Sequence, residues 1–393
     1  MRPDSDHYDL TVALTYYTPY VSGLTEVARA VAEGMAARGA RVAVATTRHD
    51  DASPARERAN GVDVYRAPVR ARVGRGVISP GFTSLARRLA RRSAVLNLHL
   101  PMLEAGLLTR SLPGTVVVAT HHDDVWLPTS LTGRAQTAIV DRSVGRALSD
   151  ADAVVVNNED HARGSRHWPL MEETGITAVP PPCRIRRRAS PTFRDGPGPH
   201  YGFLGRLAPE KALDLAIRAF RTIDDPDARL IIAGEDTRIA GGGVAQDLRA
   251  LAADDTRVRF TGFLEDQEVD ELYSSLDAFV LPSIAEESFG ISQVEAMMLG
   301  VPSVASDLPG MRQPVLTTGF GRHFPAGDVA ALAEAMTAVA AFGPETRSAG
   351  AERARQQYGA SACLDRYEAL FASLTGRAAG TDREARPSRT AHG

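Results

Sequence analysis

The chain has 393 residues, 44% of them hydrophobic and 24% charged, which is enough to build two domains with separate cores. That balance excludes a chain that is disordered throughout, a collagen-like repeat and a small disulfide-stapled protein. The formal charge of −3 argues against nucleic acid as a partner.

In the first half of the chain, apolar strand segments alternate with segments of helical period. The predicted strands cover residues 9–15, 41–46, 62–67, 94–98, 115–120 and 153–157. The clearest helix, 24–38, ends at Gly39, a residue type that commonly closes helices.

The second half repeats this alternation. Strands are predicted near 201–204, 229–233, 258–260, 278–281 and 303–306, and helices at 209–222, 266–275, 289–299 and 329–339. Apolar strands that alternate with helices are typical of parallel sheets covered on both faces. We therefore predict an α/β protein of two doubly wound parallel-sheet domains that face each other across a cleft.

Proline and glycine mark the boundary between the two domains. Three consecutive prolines end at Pro182, and a stretch of low periodicity rich in Pro and Gly follows them. The predicted parts are a first domain at 1–183, a linker at 184–198, a second domain at 199–360, a terminal helix at 361–375 and a disordered tail at 376–393.

The sequence predicts a soluble, cytoplasmic protein. The first seven residues lack the order of a secretory signal, and no apolar run approaches the roughly 18 residues that span a bilayer. Only Cys183 and Cys363 are present, which fits a reducing compartment. The segment 82–92 carries four arginines, Arg87, Arg88, Arg91 and Arg92, which could contact the anionic inner face of the membrane. A solvated helix face is the favoured interpretation of these arginines.

Lysine is almost absent from this chain, which makes the one that remains informative. Lys211 is the only lysine among 45 Lys and Arg residues. It lies in Gly205-Arg206-Leu-Ala-Pro209-Glu-Lys211, with Pro209 at the predicted first position of a helix. Arg206 and Lys211 would then meet at a helix N-terminus on the carboxyl edge of a sheet, where anions are favoured. A solvated basic helix start is the alternative.

A second motif follows the predicted strand 278–281. Ser288 is the expected N-cap of the helix 289–299, because serine oxygens accept from early helical N–H groups. Other N–H groups of that first turn, near Gly290 and Ile291, are then free to bind an anion.

Two glutamates frame this second helix start. Glu287 precedes the helix and Glu295 lies about two turns into it. A carboxylate suits the paired hydroxyls of a sugar, as the acidic residue of dinucleotide-binding folds does. Without further context, however, two glutamates eight positions apart carry no specific meaning.

In the first domain, candidate residues follow three of the predicted strands. Gly23 precedes the first helix, but the G-x-G-x-x-G fingerprint of dinucleotide-binding enzymes is missing there. We interpret His99 as a hydrogen-bonded structural histidine. The run His121-His122-Asp123-Asp124 has metal-ligand residue types, but adjacent residues on one loop rarely all reach one ion, so no metal site is predicted.

Three motifs, in this order, resemble glycosyltransferase family 4, whose members are retaining enzymes of the GT-B fold. They are Gly205-Arg206-x4-Lys211, Glu287-Ser-Phe-Gly-x4-Glu295-Ala-Met, and the run Gly300-Val-Pro-Ser-Val-Ala-Ser-Asp-Leu-Pro-Gly310. The resemblance extends over nearly the whole chain, from Tyr16 to Asp328.

For the second domain, the resemblance implies which residues bind the donor. Arg206 and Lys211 would hold the diphosphate of the donor, together with the helix start at Gly290 and Ile291. Glu287 would face the donor sugar. Glu295 would bind the ribose of the nucleotide.

For the first domain, the resemblance implies that His122 lies near the donor sugar and Gly23 near the diphosphate. The chain departs from the family pattern at two positions. His121 stands where an aromatic residue is usual, and Ser22 replaces the first glycine of a pair. Family members also tend to return the C-terminal helix, here 361–375, to the first domain.

The function implied is a retaining, metal-independent glycosyltransferase without a cofactor. A UDP-sugar is the favoured donor and GDP-mannose the next, and the acceptor is a carbohydrate, a lipid-linked molecule or a small metabolite. The residues leave open a nucleotide-sugar epimerase or hydrolase on the same fold, and a non-catalytic nucleotide-sugar-binding subunit. A pyridoxal-phosphate phosphorylase would need a lysine for its Schiff base, and Lys211 is already assigned to the phosphate motif.

Overall fold

The computed structural model describes residues 7–73, 76–125, 130–235, 244–285 and 287–380. These residues form two compact units. The first unit comprises the chain up to Asn157, the segment Ser165–Val179 and the chain from Cys363 onward, and the second comprises Asn158–Gly164 and Pro180–Ala362.

The first unit is built on an eight-stranded sheet with a separate short hairpin. Its strands are β1 (Tyr8–Ala13), β2 (Val42–Arg48), β3 (Arg56–Ala59), β4 (Val62–Pro68), the hairpin β5 (Ala71–Val73) and β6 (Gly76–Ile78), β7 (Ser93–Leu100), β8 (Val116–His121), β9 (Ala153–Val156) and β10 (Ile176–Ala178). The sheet order is β10-β9-β8-β7-β1-β2-β4-β3, and only β3 pairs antiparallel. The helices of this part of the chain are α1 (Gly23–Ala37), α2 (Pro80–Ala90), α3 (Ala105–Leu108), α4 (Leu131–Asp150), α5 (Glu159–Ala162) and α6 (Trp168–Thr174), of which α5 belongs to the second unit.

The second unit has a six-stranded, fully parallel sheet. Its strands are β11 (His200–Leu204), β12 (Arg229–Ala233), β13 (Val258–Gly262), β14 (Ala278–Leu281), β15 (Ser303–Ser306) and β16 (Gly321–Phe324), in the order β13-β12-β11-β14-β15-β16. Its later helices are α7 (Leu213–Arg221), α8 (Ala245–Ala252), α9 (Asp266–Ser275), α10 (Ile291–Met298), α11 (Gln313–Thr318), α12 (Val329–Ala340) and α13 (Pro344–Tyr358), and α14 (Ala360–Gly380) ends the described chain. The predicted alternation of parallel strands and helices is confirmed in both units.

Central strands are buried on both faces, which explains why they are uninterrupted apolar runs. Neighbouring residues of β12, Ile231 and Ile232, are fully buried although they point to opposite sides of the sheet, and so are Phe279 and Val280 of β14. No helix within the described ranges is both long enough and apolar enough to cross a membrane.

The predicted interdomain linker, 184–198, lies along the second unit. Its arginines hold it there: the Arg188 guanidinium donates to the Leu299 carbonyl at 3.2 Å, and Arg194 pairs with Asp277 at 2.9 Å. Arginines in a Pro- and Gly-rich stretch suggest solvated chain from sequence alone, but here they serve as anchors.

The terminal helix is longer than predicted. Helix α14 runs to Gly380, so residues 376–380 of the predicted disordered tail are helical, while 381–393 lie outside the described residues. In the first unit Arg38, at the end of α1, pairs with Asp365 and Glu368 of α14 at 2.7 Å each. These pairs, on one side of the helix, help to hold it against α1.

Candidate functional site

The loop after β14 meets the turn after β11 at the carboxyl edge of the second sheet. These two strands are parallel neighbours, so the segments that follow them emerge side by side. The Ile284 N–H donates to the Glu210 carbonyl at 3.0 Å and ties the two segments together. As a result, the Lys211 ammonium forms an ion pair with the Glu287 carboxylate, with side chains only 14% and 19% exposed.

The sequence predicts one helix over 209–222 with Lys211 in its first turn, whereas in the structure Lys211 precedes the α-helix. It ends a short 3-10 turn, Pro209–Lys211, and Ala212 then adopts a left-handed conformation with φ 45°. Helix α7 begins only at Leu213, whose side chain is buried in the core. The reversal at Ala212 lets Leu213 reach the core while Lys211 faces the loop after β14.

Arg206 occupies a different environment from Lys211. Its side chain is 60% exposed, and its Nη2 lies 3.4 Å from the Glu210 carboxylate. A pair of this length between exposed groups contributes little to stability. The guanidinium can therefore exchange this partner for a ligand at low cost.

Helix α10 begins two residues later than predicted. Gly290 is its N-cap, in a left-handed conformation with φ 78°, and as a glycine it has no side chain with which to cap the first turn. The prediction of Ser288 as N-cap was wrong, because the left-handed residue sets the helix start at Ile291. The Ser288 carbonyl instead accepts a hydrogen bond from the Asn158 amide at 2.7 Å.

A fully buried glutamine holds the loop before α10. The Gln293 amide donates to the Phe289 carbonyl at 3.0 Å and to the Met311 carbonyl at 2.9 Å, and its oxygen accepts from Ser303 at 2.9 Å. Sequence analysis missed this residue, since an interior glutamine on an apolar helix has no signal of its own.

The third sequence motif, 300–310, packs against the second. Gly310 has φ 88°, and a Cβ at this position would lie 2.6 Å from the Ser288 carbonyl oxygen. Only glycine allows this approach. The run that ends at Gly310 therefore supports the loop that carries Glu287.

Glu295 is already paired in this structure, with residues that sequence analysis did not single out. The Arg186 guanidinium donates from Nε to Glu295 Oε2 at 2.9 Å, and the Tyr273 hydroxyl lies 3.4 Å from the same oxygen. Burial raises the pKa of the Glu295 carboxyl, and the positive charge of Arg186 opposes that shift. Arg186 lies among several other linker arginines, so nothing in the sequence distinguished it.

In the first unit, His99 and His122 contact each other directly. His99 Nδ1 lies 2.9 Å from His122 Nε2, and both rings are buried. His99 also bonds to the Asn97 amide, in keeping with the interpretation of a hydrogen-bonded histidine. Within the described part of the chain, no group of three or more His, Cys, Asp or Glu residues is placed to hold a metal ion.

The two adjacent histidines have separate environments. His121 ends β8, and its Nε2 lies 3.4 Å from Asp124 Oδ1, with its ring 6.0 Å from that of His167. His122 instead contacts His99. Because successive side chains of an extended segment point to opposite faces, the two rings cannot share one role.

Gly23 is the first residue of α1, and Ser22 is its N-cap. The Ser22 hydroxyl accepts from the Thr25 N–H at 3.2 Å, so the serine that departs from the family pattern caps the helix. No neighbouring atom lies within 4 Å of the place where a Cβ of Gly23 would be. Within the first unit, packing therefore does not require glycine at this position.

The conformation of Gly290 leads to a stability prediction. Gly290→Ala places a Cβ 2.6 Å from the Gln293 amide nitrogen and 2.7 Å from Leu281, on a left-handed backbone. We expect a loss of about 2–5 kcal/mol in the free energy of unfolding, measured by denaturant titration. The matched control is Gly327→Ala, since Gly327 has φ 88° and open space around it, and should lose only the backbone part. Equal losses in the two variants would contradict crowding at Gly290.

Two sequence families match the chain, one in each half. Residues 189–357 match the family described as glycosyl transferases group 1, and residues 22–182 match the glycosyl transferase 4-like domain. A phosphatidyl-myo-inositol mannosyltransferase from Mycobacterium leprae (strain TN) is 30% identical over 324 residues, which is 79% of this chain and 81% of that protein.

Solved structures share the fold at lower sequence identity. Sucrose-phosphate synthase from Thermosynechococcus elongatus superposes with a TM-score of 0.70 at 18% identity, over 94% of this chain and 99% of that chain. Anabaena HepE in complex with UDP-glucose superposes with a TM-score of 0.69 at 18% identity, over 94% and 100%. These likenesses confirm the predicted GT-B fold class.

Proposed function

The chain belongs to the glycosyl transferases group 1 family, and we propose that it moves a sugar from a nucleotide-diphosphate donor to an acceptor hydroxyl with retention of configuration. Membership makes it a glycosyltransferase. The donor, the stereochemistry and independence from a metal are the parts that we propose.

The pairing of Lys211 with Glu287 beside the start of α10 is the observation that supports this proposal most directly. An ammonium has three N–H donors, so Lys211 can keep Glu287 and still donate to phosphate oxygens. The N-cap of α10 is a glycine, which has no side chain to bond the first N–H groups of the helix, and such groups favour an anion. A cation, a carboxylate and the N–H groups of a helix start are groups that suit a sugar diphosphate.

Charge stabilisation is the proposed source of catalysis. As the bond to the sugar breaks, negative charge grows on the departing diphosphate and positive charge on the sugar. Lys211, Arg206 and the N–H groups at Gly290 and Ile291 would stabilise the diphosphate without a metal ion. The leaving phosphate would itself take the acceptor proton during front-face attack, so no protein nucleophile is needed.

Carboxylates are proposed to orient the donor. Glu287, held by Lys211, would face the donor sugar, and Glu295 would accept hydrogen bonds from the ribose hydroxyls. Its Oε2 is held by Arg186 and Tyr273, which points to Oε1 as the ribose acceptor. In the first unit, His122 would contact the donor sugar and Gly23 the diphosphate.

A UDP-sugar is the first donor to assay and GDP-mannose the second. The UDP-glucose complex of HepE supports the first choice, and the mannosyltransferase relative from M. leprae supports the second. The same relative makes a lipid with an inositol headgroup the first acceptor to test.

The arginines of the segment 82–92 carry the proposed contact with an anionic membrane, and the structure limits how they could bind it. Helix α2 buries Phe82 and Leu89 in the core, so these residues are not available to a bilayer. Arg88 and Arg91 are exposed. Sedimentation with anionic vesicles should therefore show purely electrostatic binding that salt removes, and no binding even at low salt would contradict the contact.

Thermal unfolding with UDP, GDP, ADP and dTDP tests the donor site before any acceptor is known. A nucleotide present at 100 times its Kd should stabilise the protein by about 2.7 kcal/mol. The shift should disappear in Lys211→Ala and persist in Arg218→Ala, which removes an exposed cation of the same unit. If no nucleotide or nucleotide sugar shifts the unfolding temperature, the proposed donor site is wrong.

A further inference from the structure

A chain of hydrogen bonds leads from the backbone of β8 to His122. The Asn97 amide nitrogen donates to the Val118 carbonyl at 3.2 Å and to the Thr120 hydroxyl at 2.8 Å. His99 Nε2 lies 3.0 Å from the Asn97 amide oxygen, and His99 Nδ1 lies 2.9 Å from His122 Nε2. The Val118 carbonyl, at one end of this series of hydrogen bonds, determines where the protons lie along it.

The Val118 carbonyl fixes the orientation of Asn97. A backbone carbonyl can only accept, so the group of Asn97 that faces it must be the NH2. The opposite amide orientation would place the Asn97 oxygen against the Val118 carbonyl oxygen and lose that hydrogen bond. The Asn97 oxygen therefore faces His99.

The Asn97 oxygen in turn fixes the tautomer of His99. That oxygen can only accept, so His99 Nε2 must carry a proton. Burial lowers the pKa of His99 to about 3, so the ring is neutral near pH 7 and has one N–H. His99 Nδ1 is then a hydrogen-bond acceptor.

The tautomer of His99 in turn determines the tautomer of His122. An acceptor at His99 Nδ1 requires a proton on His122 Nε2. We propose that Asn97 and His99 are positioning residues that hold His122 as the Nε2–H tautomer, so that His122 Nδ1 accepts a hydrogen bond from a hydroxyl of the donor sugar. The sugar contact rests on the proposed function, whereas the tautomer does not.

Burial supports this assignment. The four side chains that take part in this series of hydrogen bonds are all buried: Asn97, His99, Thr120 and His122. Burial, together with the neighbouring histidines, holds the pKa of His122 well below its usual value, so the ring is neutral.

The tautomer of His122 determines which kind of sugar substituent it can bind. A neutral ring that presents Nδ1 can accept from a hydroxyl but cannot donate to a carboxylate. The sugar substituent that faces His122 is therefore a hydroxyl rather than a carboxylate. Fixing the tautomer in advance removes the cost of selecting it when the donor binds.

The tautomers can be measured directly, without any substrate. Two-bond ¹H–¹⁵N correlation spectra of protein labelled with [¹⁵N]histidine separate protonated from unprotonated ring nitrogens. At pH 7 we expect His99 and His122 each to have a protonated Nε2 and an unprotonated Nδ1, with signals assigned from the spectra of His99→Gln and His122→Asn. A protonated Nδ1 on His122, alone or with Nε2, would overturn the proposal.

Kinetics then separate positioning from a merely structural role. His99→Gln keeps an oxygen that can accept from His122, whereas His99→Phe does not. We expect kcat/KM for the donor to fall about 10–100-fold in His99→Phe, by analogy with the hydrogen-bond partners of metal-binding histidines, and to be largely restored in His99→Gln. The control His167→Phe removes another buried histidine of the same unit and should leave kcat/KM unchanged.

The outcomes distinguish this proposal from the proposed function. Equal losses in His99→Phe and His99→Gln would overturn the positioning role. If no nucleotide sugar supports turnover, the proposed function fails, and the spectra alone decide the tautomer of His122.

Discussion

Lys211→Ala is expected to lower kcat by two to three orders of magnitude while the protein stays folded. The ammonium is proposed to stabilise the departing diphosphate, and loss of one such donor typically costs about 3–4 kcal/mol in the transition state. No arginine can take over easily, because the ammonium sits as a point charge against Glu287 in a largely buried position.

Steady-state kinetics and unfolding of the same variants provide the measurement. Lys211→Arg preserves the charge but not its compact shape, and should fall between wild type and Lys211→Ala. Arg218→Ala removes an exposed cation that pairs weakly with Asp214 at 3.8 Å, and should behave as wild type. Near-normal turnover in Lys211→Ala would contradict the proposal that Lys211 binds the diphosphate.

Arg186→Met is expected to destabilise the protein by about 3–5 kcal/mol and to weaken nucleotide binding. Arg186 faces Glu295 at 2.9 Å, Asp266 at 2.5 Å and Asp270 at 3.6 Å. Without the guanidinium, the Glu295 carboxylate would lose the cation that is bonded to it and stay buried, since its side chain is only 10% exposed.

The pH dependence of this variant has a definite sign. Loss of Arg186 raises the pKa of Glu295 above its already raised value in the folded protein. A carboxyl whose folded-state pKa is raised supports folding at low pH and loses that support as the pH rises through the folded pKa. The stability difference from wild type should therefore be smallest at low pH and grow as the pH rises. Nucleotide affinity should instead fall as the pH is lowered, because the proposed contact with the ribose hydroxyls needs the ionised Glu295 carboxylate.

Matched variants separate the buried pair from the surface charges. Arg184 also bonds to Asp266, at 2.7 Å, but its side chain is 55% exposed, so Arg184→Met should cost at most about 1 kcal/mol. Adding Glu295→Gln to Arg186→Met removes the uncompensated charge and should restore much of the stability without restoring nucleotide affinity. Equal losses in Arg184→Met and Arg186→Met, by denaturant titration, would contradict a special role for Arg186.

Local patterns were sufficient for most of the secondary structure in the second unit. The predicted ranges for β12, β14, β15 and α9 coincide with the observed ones. Buried strands are short apolar runs with clear ends, and α9 has a capping box of Glu265 and Glu268 at its start. By contrast, α13 was missed because its buried face consists mainly of small residues such as Ala351 and Ala354.

The backbone conformation of single residues could not be predicted from the sequence. The left-handed conformation of Ala212 places Lys211 before the start of α7 instead of inside a predicted helix. The left-handed conformation of Gly290 places the start of α10 at Ile291 instead of the predicted Phe289. A left-handed alanine has almost no sequence signal, because alanine favours helices. Such a conformation is adopted only when the packing on both sides requires it.

The sequence by itself determined the family, the α/β class and the residue types of the proposed donor site. Only the tertiary structure decided which of these residues meet: Lys211 with Glu287, 76 positions later, and Arg186 with Glu295, 109 positions later. It also decided that His122, rather than His121, bonds to His99. The reason is that ion pairs and hydrogen bonds between distant segments depend on which strand ends lie side by side, and no local pattern records that.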